Sequence, residues 1–160
     1  MSAKTQVSFN VNGRSYAIAV EPRRLLSDAL RDDCGLTGTH VGCEHGVCGT
    51  CTILVDGKPI RSCLMFAIQA RGKEIRTVEG LADKGQLHPL QAAFWEHHGL
   101  QCGFCTPGFL MLAAGALEAQ PEMSDEELKH LLSSNLCRCT GYQNILKAVR
   151  AAASKMRTAK

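Results

Sequence analysis

The first part of the chain alternates between apolar and polar residues, as the strands of a half-buried sheet do. Apolar side chains recur at every second position over residues 7–11 and again over residues 16–20. Between these segments stands Asn12-Gly13, a pair favoured in two-residue type I′ turns because both positions adopt positive φ. The pattern therefore predicts an antiparallel hairpin.

One helix and a second hairpin follow. Residues 23–33 have the apolar spacing of a short helix, and residues 52–62 form two apolar segments around an Asp-Gly pair that again suits a tight turn. A glycine-rich loop covers residues 35–49, and residues 74–79 are a further strand candidate. We expect a small mixed sheet that carries one helix.

The apolar period becomes helical after residue 81. Ser124 and Glu127 have the spacing of a capping box. Thr106, followed by Pro107 at the first helical position, is expected to cap the helix over 106–119, and Thr140 the helix over 142–156. Four helices are predicted in all, over residues 88–98, 106–119, 124–134 and 142–156.

The change of period within residues 80–87 divides the chain into two predicted domains, residues 1–79 and residues 80–160. A length of 160 residues is enough for two small domains. Four helices joined by short loops predict a compact bundle. The expected fold class is α+β, a sheet domain followed by a C-terminal four-helix bundle.

Charge and hydropathy narrow the possible functions. The net charge is +3 and the basic residues are scattered, so no basic stripe indicates a nucleic-acid partner. Residues 1–9 lack the basic and apolar segments of a secretory signal. The longest apolar run, residues 109–117, is too short to span a bilayer. We expect a soluble, cytoplasmic chain without a membrane span.

Nine cysteines are many for such a chain, and in a reducing compartment they favour metal binding over disulfides. The sheet half contains four of them in the pattern C-x4-C-x2-C-x11-C: Cys43, Cys48, Cys51 and Cys63. The first three have the spacing of plant-type [2Fe–2S] ferredoxins, whereas structural zinc usually takes shorter C-x2-4-C motifs. Gly42, Gly46 and Gly49 suit a loop that wraps closely around such a cluster.

The helical half supplies four more sulfurs. Cys102 and Cys105 form a C-x2-C motif, Cys137 and Cys139 form a C-x-C motif, and both motifs directly precede predicted helices. If the two helix N-termini converge, they favour an anionic centre. A second [2Fe–2S] cluster and a zinc tetrathiolate both meet that condition, so both remain open. Cys34 lies outside both groups and is expected to be a small buried apolar residue.

Three segments together resemble the small iron–sulfur subunit of the molybdenum hydroxylases, the xanthine oxidase family. They are G-C-E-H-G-V-C-G-T-C at 42–51, Q-C-G-F-C-T-P-G at 101–108 and N-L-C-R-C-T-G-Y at 135–142. The resemblance covers about residues 5–155. It implies an N-terminal β-grasp, ferredoxin-like domain and a C-terminal helical domain, each with one [2Fe–2S] cluster, and so favours iron over zinc.

The resemblance also implies a role for each motif residue. The four cysteines of the sheet half would hold the cluster near a flavin, and the four of the helical half would hold the cluster near molybdopterin cytosine dinucleotide. Gln101 would hydrogen-bond the pterin, and Cys139 would lie close to it. The implied partners are a large molybdopterin-binding subunit and a medium FAD-binding subunit, assembled as a dimer of heterotrimers.

The implied function is electron transfer: single electrons pass from the molybdenum site through two clusters to FAD or another acceptor. The chain offers no catalytic residue of its own, so the substrate-oxidising site is expected on a partner. Two other functions compete with this one. A freely diffusing two-cluster carrier would be isolated as a lone monomer, and a zinc-stabilised interaction module would be colourless.

Overall fold

The computed structural model of the protein describes residues 3–158. Within this range a mixed sheet is followed by four longer helices. The strands are β1 (Thr5–Val11), β2 (Arg14–Val20), β3 (Thr52–Val55), β4 (Lys58–Arg61) and β5 (Glu74–Arg76). The helices are α1 (Leu26–Asp28, continued by a wider turn over Ala29–Asp33), α2 (Pro89–Glu96), α3 (Thr106–Ala119), α4 (Asp125–Ser133) and α5 (Gln143–Thr158). Single helical turns cover Ser62–Leu64, Ala67–Ala70 and Val78–Gly80.

The five strands lie in the order β2-β1-β5-β3-β4, with β1 parallel to β5 and every other pair antiparallel. Both predicted hairpins are confirmed. In the first, Asn12 (φ 52°) and Gly13 (φ 76°) have the positive φ values that a type I′ turn requires. The β5 strand is shorter than the predicted segment 74–79 because a single helical turn begins at Val78.

Strand β3 is buried along its whole length, since elements cover both faces of the sheet there. Ile53 and Val55 belong to the core that the sheet shares with α1, whereas Leu54 belongs to the core of the helical half. Helix α3 packs directly against β3 and β4. The two halves of the chain therefore pack against each other through this strand.

The four longer helices α2 to α5 match the number predicted from the sequence, but some of their first residues differ from the prediction. The capping box of α4 is confirmed, because the Ser124 Oγ accepts from the Glu127 N–H at 3.3 Å and the Glu127 carboxylate accepts from the Ser124 N–H at 2.7 Å. The predicted caps of α3 and α5 are wrong by one residue or more. Cys105 occupies the cap of α3, and α5 begins only at Gln143.

Helix α1 also begins later than predicted, at Leu26 instead of residue 23, because the backbone N–H of Leu26 donates to the Met65 carbonyl at 2.7 Å and Leu25 is extended. None of the helices within residues 3–158 is both long and apolar enough to cross a membrane.

Candidate iron–sulfur sites

The four cysteines of the sheet half converge because the second hairpin joins distant parts of the chain. Cys51 directly precedes β3, and Cys63 lies in the helical turn that follows β4. The pairing of Thr52 with Arg61 brings these two cysteines side by side. The Ser62 hydroxyl and backbone N–H both donate to the Cys51 carbonyl, at 2.8 and 3.2 Å, and fix this end of the hairpin.

The remaining two cysteines of this group lie on the loop before β3. The Sγ atom of Cys43 accepts a hydrogen bond from the backbone N–H of Cys48 at 3.4 Å. This bond, with further bonds from the His45 and Val47 N–H groups, lowers the pKa of Cys43 to about 6. In contrast, burial and the adjacent Cys51 thiol raise the pKa of Cys63 to about 12. The thiols thus meet in two pairs, Cys43 with Cys48 and Cys51 with Cys63.

Glycines let this loop fold tightly, as the sequence predicts, two of them through positive φ and one through close packing. Gly46 and Gly49 have φ of 79° and 72°. A side chain at Gly46 would lie 2.5 Å from a methyl carbon of Leu64, and one at Gly49 would overlap the amide of Asn135. Gly42 does not need positive φ; a Cβ there would lie 3.2 Å from the Cys48 sulfur, so its role is close packing.

The four cysteines of the helical half also form pairs, but each pair takes one cysteine from each motif. The Sγ atoms of Cys102 and Cys139 lie 3.6 Å apart, and both residues are exposed. Cys105 and Cys137 form the inner pair; burial and the Cys137 thiol raise the pKa of Cys105 to about 12. Each motif therefore gives one cysteine to the exposed outer pair and one to the inner pair.

The inner cysteine Cys137 has the most hydrogen-bonded sulfur of this group. Burial opposes its ionisation, but hydrogen bonds from the Thr140 hydroxyl and the Thr140 backbone outweigh burial and lower the pKa of Cys137. At the outer pair, the Cys102 thiol raises the pKa of Cys139.

The arrangement in pairs fits a [2Fe–2S] cluster, in which each iron takes two of the four thiolates. Within residues 3–158, no three His, Cys, Asp or Glu side chains are grouped as a site for a single metal ion. The hydroxyl of Thr106, directly after Cys105, is buried and has no hydrogen-bond partner among the described residues. An inorganic sulfide of a bound cluster could accept the hydrogen bond that this hydroxyl does not make within the described residues.

Hydrogen bonds join the segments that carry the two cysteine groups, a contact that the sequence does not indicate. The backbone N–H of Leu136 donates to the carbonyl of Cys48 at 2.9 Å. The buried side chain of Asn135 donates to the Gly49 carbonyl at 3.2 Å. Arg61 adds a third bond, from its guanidinium to the Ser134 carbonyl at 2.9 Å. The segment 134–137 thus lies against the loop 48–51, and no local sequence signal marks this pairing.

The remaining predicted residues lie at or near the surface. Gln101 is exposed, next to the exposed Cys102. Cys34 is only partly buried, at the edge of the sheet core, and burial, with the nearby Asp33 charge, raises its pKa to about 11. The expectation that Cys34 is an apolar packing residue is confirmed only in that it contacts this core.

Comparison with known families identifies both halves of the chain. The model described as "2Fe-2S iron-sulfur cluster binding domain" matches residues 9–81, and the model described as "[2Fe-2S] binding domain" matches residues 77–150. The fold and the two cysteine groups therefore define a protein with two [2Fe–2S]-binding domains.

Individual relatives make the class more specific. The chain is 57% identical to the caffeine dehydrogenase subunit gamma of Pseudomonas sp. (strain CBB1), over 96% of this chain and 94% of the relative. It is 57% identical to the nicotine 6-hydroxylase small subunit of Paenarthrobacter nicotinovorans, over 92% and 89%. The crystal structure of quinoline 2-oxidoreductase from Pseudomonas putida 86 contains a chain with 50% identity and a TM-score of 0.93, with 98% of both chains covered.

The chain belongs to the small iron–sulfur subunits of the molybdenum hydroxylase family. It is accordingly the electron-transfer subunit of an oxidoreductase complex, and the substrate-oxidising site lies on a partner subunit.

Proposed function

We propose that the eight paired cysteines are the ligands of two [2Fe–2S] clusters that carry electrons one at a time. Cys43, Cys48, Cys51 and Cys63 would hold the first cluster, and Cys102, Cys105, Cys137 and Cys139 the second. The observation that carries the proposal is the hydrogen bond from the Leu136 N–H to the Cys48 carbonyl, because it joins a cysteine of the first set to the residue directly before Cys137 of the second set. A bound cluster supplies storage for a single electron.

The second group is proposed to face the molybdenum-containing partner. Its outer pair, Cys102 and Cys139, is exposed in the isolated chain, as is Gln101 beside it. In a complex, a partner that covers this surface would bring its cofactor close to the outer pair. We assign Gln101 as a hydrogen-bonding contact of molybdopterin cytosine dinucleotide and Cys139 as the ligand nearest the pterin.

The first group is proposed to face a medium, FAD-binding subunit. Two large apolar side chains, Val47 and Leu64, remain 59% and 64% exposed on the loop and the helical turn that carry cysteines of this group. Apolar side chains left exposed in this way suit burial by a partner. Electrons would then enter at the second cluster and leave from the first. A dimer of heterotrimers is the proposed complete assembly.

The proposed domain boundary follows the change of period, with a ferredoxin-like domain at residues 1–79 and a helical domain at 80–160. Helices α2 to α5 surround one apolar core, which supports a four-helix bundle. All nine cysteines are free thiols. This supports a reducing location, and we propose the cytoplasm.

The first experiment is to purify the chain gently from its own cells and to count polypeptides, iron, molybdenum and flavin. A large and a medium subunit with molybdenum, FAD and about four irons per small subunit are expected for two [2Fe–2S] clusters. Molybdenum without flavin would remove the medium subunit from the proposal, and a lone brown monomer would favour the diffusing carrier. Caffeine, nicotine and quinoline are the first substrates to screen, because the relatives described above are named for these compounds.

A substitution tests the order of the two sites. Cys139→Ser should remove the electron paramagnetic resonance signal of the second cluster and leave that of the first. Turnover with the natural acceptor should fall by at least the ~10–100-fold that is typical when a residue supporting a metal ligand is lost. Turnover with a dye that takes electrons at the molybdenum site should continue. The matched control is Cys34→Ser, which should keep both signals; loss of dye-linked turnover in Cys139→Ser would indicate failed assembly.

A further inference from the structure

Thr140 provides two hydrogen bonds to one sulfur atom of the inner pair. Its backbone N–H lies 3.4 Å from the Cys137 Sγ, and its hydroxyl oxygen lies 3.0 Å from the same atom. Among the hydroxyl groups of residues 3–158, that of Thr140 is the one that hydrogen-bonds a sulfur of the two cysteine groups. The sulfur of Cys43 differs in this respect. Among the described residues its nitrogen donors are all backbone N–H groups, and no hydroxyl donates to it.

The direction of the hydroxyl bond follows from its second partner. The backbone N–H of Tyr142 donates to the Thr140 Oγ1 at 3.2 Å, so that oxygen is already an acceptor. A thiolate ligand carries no proton and can only accept. The single hydroxyl proton of Thr140 is therefore directed to Cys137, and the Tyr142 bond polarises the hydroxyl so that it donates more strongly.

The backbone around this hydroxyl adopts a conformation that costs energy. Gly141 and Tyr142 have φ of 63° and 67°, and a left-handed conformation is unfavourable for a residue with a large side chain. Two contacts hold Tyr142 there. Its hydroxyl accepts from the Cys137 backbone N–H at 3.0 Å, and its ring packs edge-on against Phe109 with centroids 6.2 Å apart. The left-handed turn directs the Tyr142 N–H back to Thr140.

We propose that Thr140 is a positioning residue that raises the reduction potential of the second cluster through its hydroxyl bond to Cys137. This inference rests on the proposed assignment of Cys137 as a cluster ligand. When the site accepts one electron from the substrate-oxidising subunit, the negative charge on its sulfurs increases, and a donor to sulfur stabilises the reduced form more than the oxidised form. The hydroxyl keeps its proton throughout.

The test compares Thr140→Val with Thr140→Ser in the intact complex. Valine has a similar size and lacks the donor, whereas serine retains it. Redox titration followed by electron paramagnetic resonance reports each cluster separately, with the signal lost in Cys139→Ser marking the second. For Thr140→Val we expect about a tenfold shift in the one-electron equilibrium, ~59 mV towards lower potential. Thr140→Ser should keep the wild-type potential, and the first cluster should not change in either variant.

The other outcomes contradict the inference in distinguishable ways. An unchanged potential in Thr140→Val would show that the hydroxyl does not tune the cluster. Equal shifts in both variants, or a shift of the first cluster as well, would indicate a general structural disturbance. Loss of the second cluster in both Thr140→Val and Thr140→Ala, with retention in Thr140→Ser, would assign the hydroxyl to cluster assembly. Fewer than two clusters in the wild-type complex would instead contradict the proposed function.

Discussion

At the scale of single residues, His88 makes the start of one helix sensitive to pH. Its Nδ1 atom accepts a hydrogen bond from the backbone N–H of Leu90 at 3.2 Å and so caps α2. Burial lowers the pKa of His88 below its usual value of 6.5; the Glu118 carboxylate raises it to a smaller extent, and the Arg76 charge lowers it further. The neutral ring is therefore the form that the fold requires.

The sign of the pH effect follows from this lowered pKa. As the pH falls, the unfolded chain binds the proton at pH 6.5, before the folded chain does. The stabilising contribution of His88 is complete above pH 6.5 and is lost as the pH falls from there to the lower pKa of the folded state. Protonation also removes the lone pair that caps α2, which is worth about 1 kcal/mol in a helix cap.

We therefore predict that replacing His88 by asparagine removes this part of the pH dependence. Asparagine caps helices well and does not titrate near neutral pH. The urea midpoint of the wild-type holo chain, relative to that of His88→Asn, should fall as the pH is lowered through 6.5, with a loss of stability of at most about 1.4 kcal/mol per pH unit for the single proton. Parallel curves for the two proteins would show that His88 remains neutral for another reason or that its cap is unimportant.

At the scale of elements, the first turn of α3 touches backbone and its later turns touch side chains. A Cβ at Gly108 would overlap the Gly49 carbonyl and lie 2.8 Å from the Thr50 carbonyl oxygen. At Gly115 it would lie 2.6 Å from a methyl group at the end of Leu54. The end of the Leu54 side chain, and the Pro59 ring at 3.1 Å from the same Cβ, can shift more easily than the loop backbone at 49–50, which lies between Cys48 and Cys51.

The same substitution at these two glycines should therefore have different results. Gly108→Ala should cost about 1–3 kcal/mol, as is typical of overpacking against rigid neighbours. Gly115→Ala should be closer to neutral, because about 1 kcal/mol of helix propensity offsets the smaller clash. Urea denaturation followed by helical circular dichroism gives both values. Equal costs would mean that the loop is as adaptable as the Leu54 side chain.

The elements that could be predicted from sequence are those with local signals. The Asn12-Gly13 turn and the Ser124–Glu127 capping box are completed by neighbouring residues, and both are confirmed. The sequence places the start of α5 at residue 142, one residue too early, because Tyr142 adopts positive φ and is held there by contacts with Cys137 and Phe109. The local sequence around residue 140 does not indicate these contacts, so the helical period alone predicts a start that is too early.

At the scale of the whole molecule, the segment 134–137 and the loop 48–51 connect the two cysteine groups. Asn135 is only 1% exposed, and its side-chain N–H group donates to the Gly49 carbonyl. The next residue, Leu136, donates to the Cys48 carbonyl. The spacing of the cysteines predicted two separate groups, but the contact joins residues more than eighty positions apart, and periodicity cannot indicate such pairs.

Asn135 therefore supplies a buried hydrogen bond between the segment 134–137 and the loop 48–51, and its replacement should loosen that contact. In Asn135→Leu a side chain of similar size fills the space, and the Gly49 carbonyl loses the Asn135 donor but keeps the N–H and hydroxyl donors of Thr52. We expect a cost of about 0.5–1.5 kcal/mol, the usual net contribution of one hydrogen bond, because the carbonyl keeps other donors. The loops should separate, which lengthens the path from Cys48 to Cys137 and weakens the magnetic interaction between two reduced clusters.

Both effects can be measured on the purified complex. Urea denaturation gives the stability, and the splitting of the electron paramagnetic resonance signals gives the interaction between the clusters. The matched control is Asn144→Leu, because Asn144 is exposed and its amide also donates to a backbone carbonyl, that of His98 at 3.4 Å. Only Asn135→Leu should reduce the splitting. An unchanged splitting together with lower stability would mean that Leu136 and Arg61 keep the two groups together without Asn135.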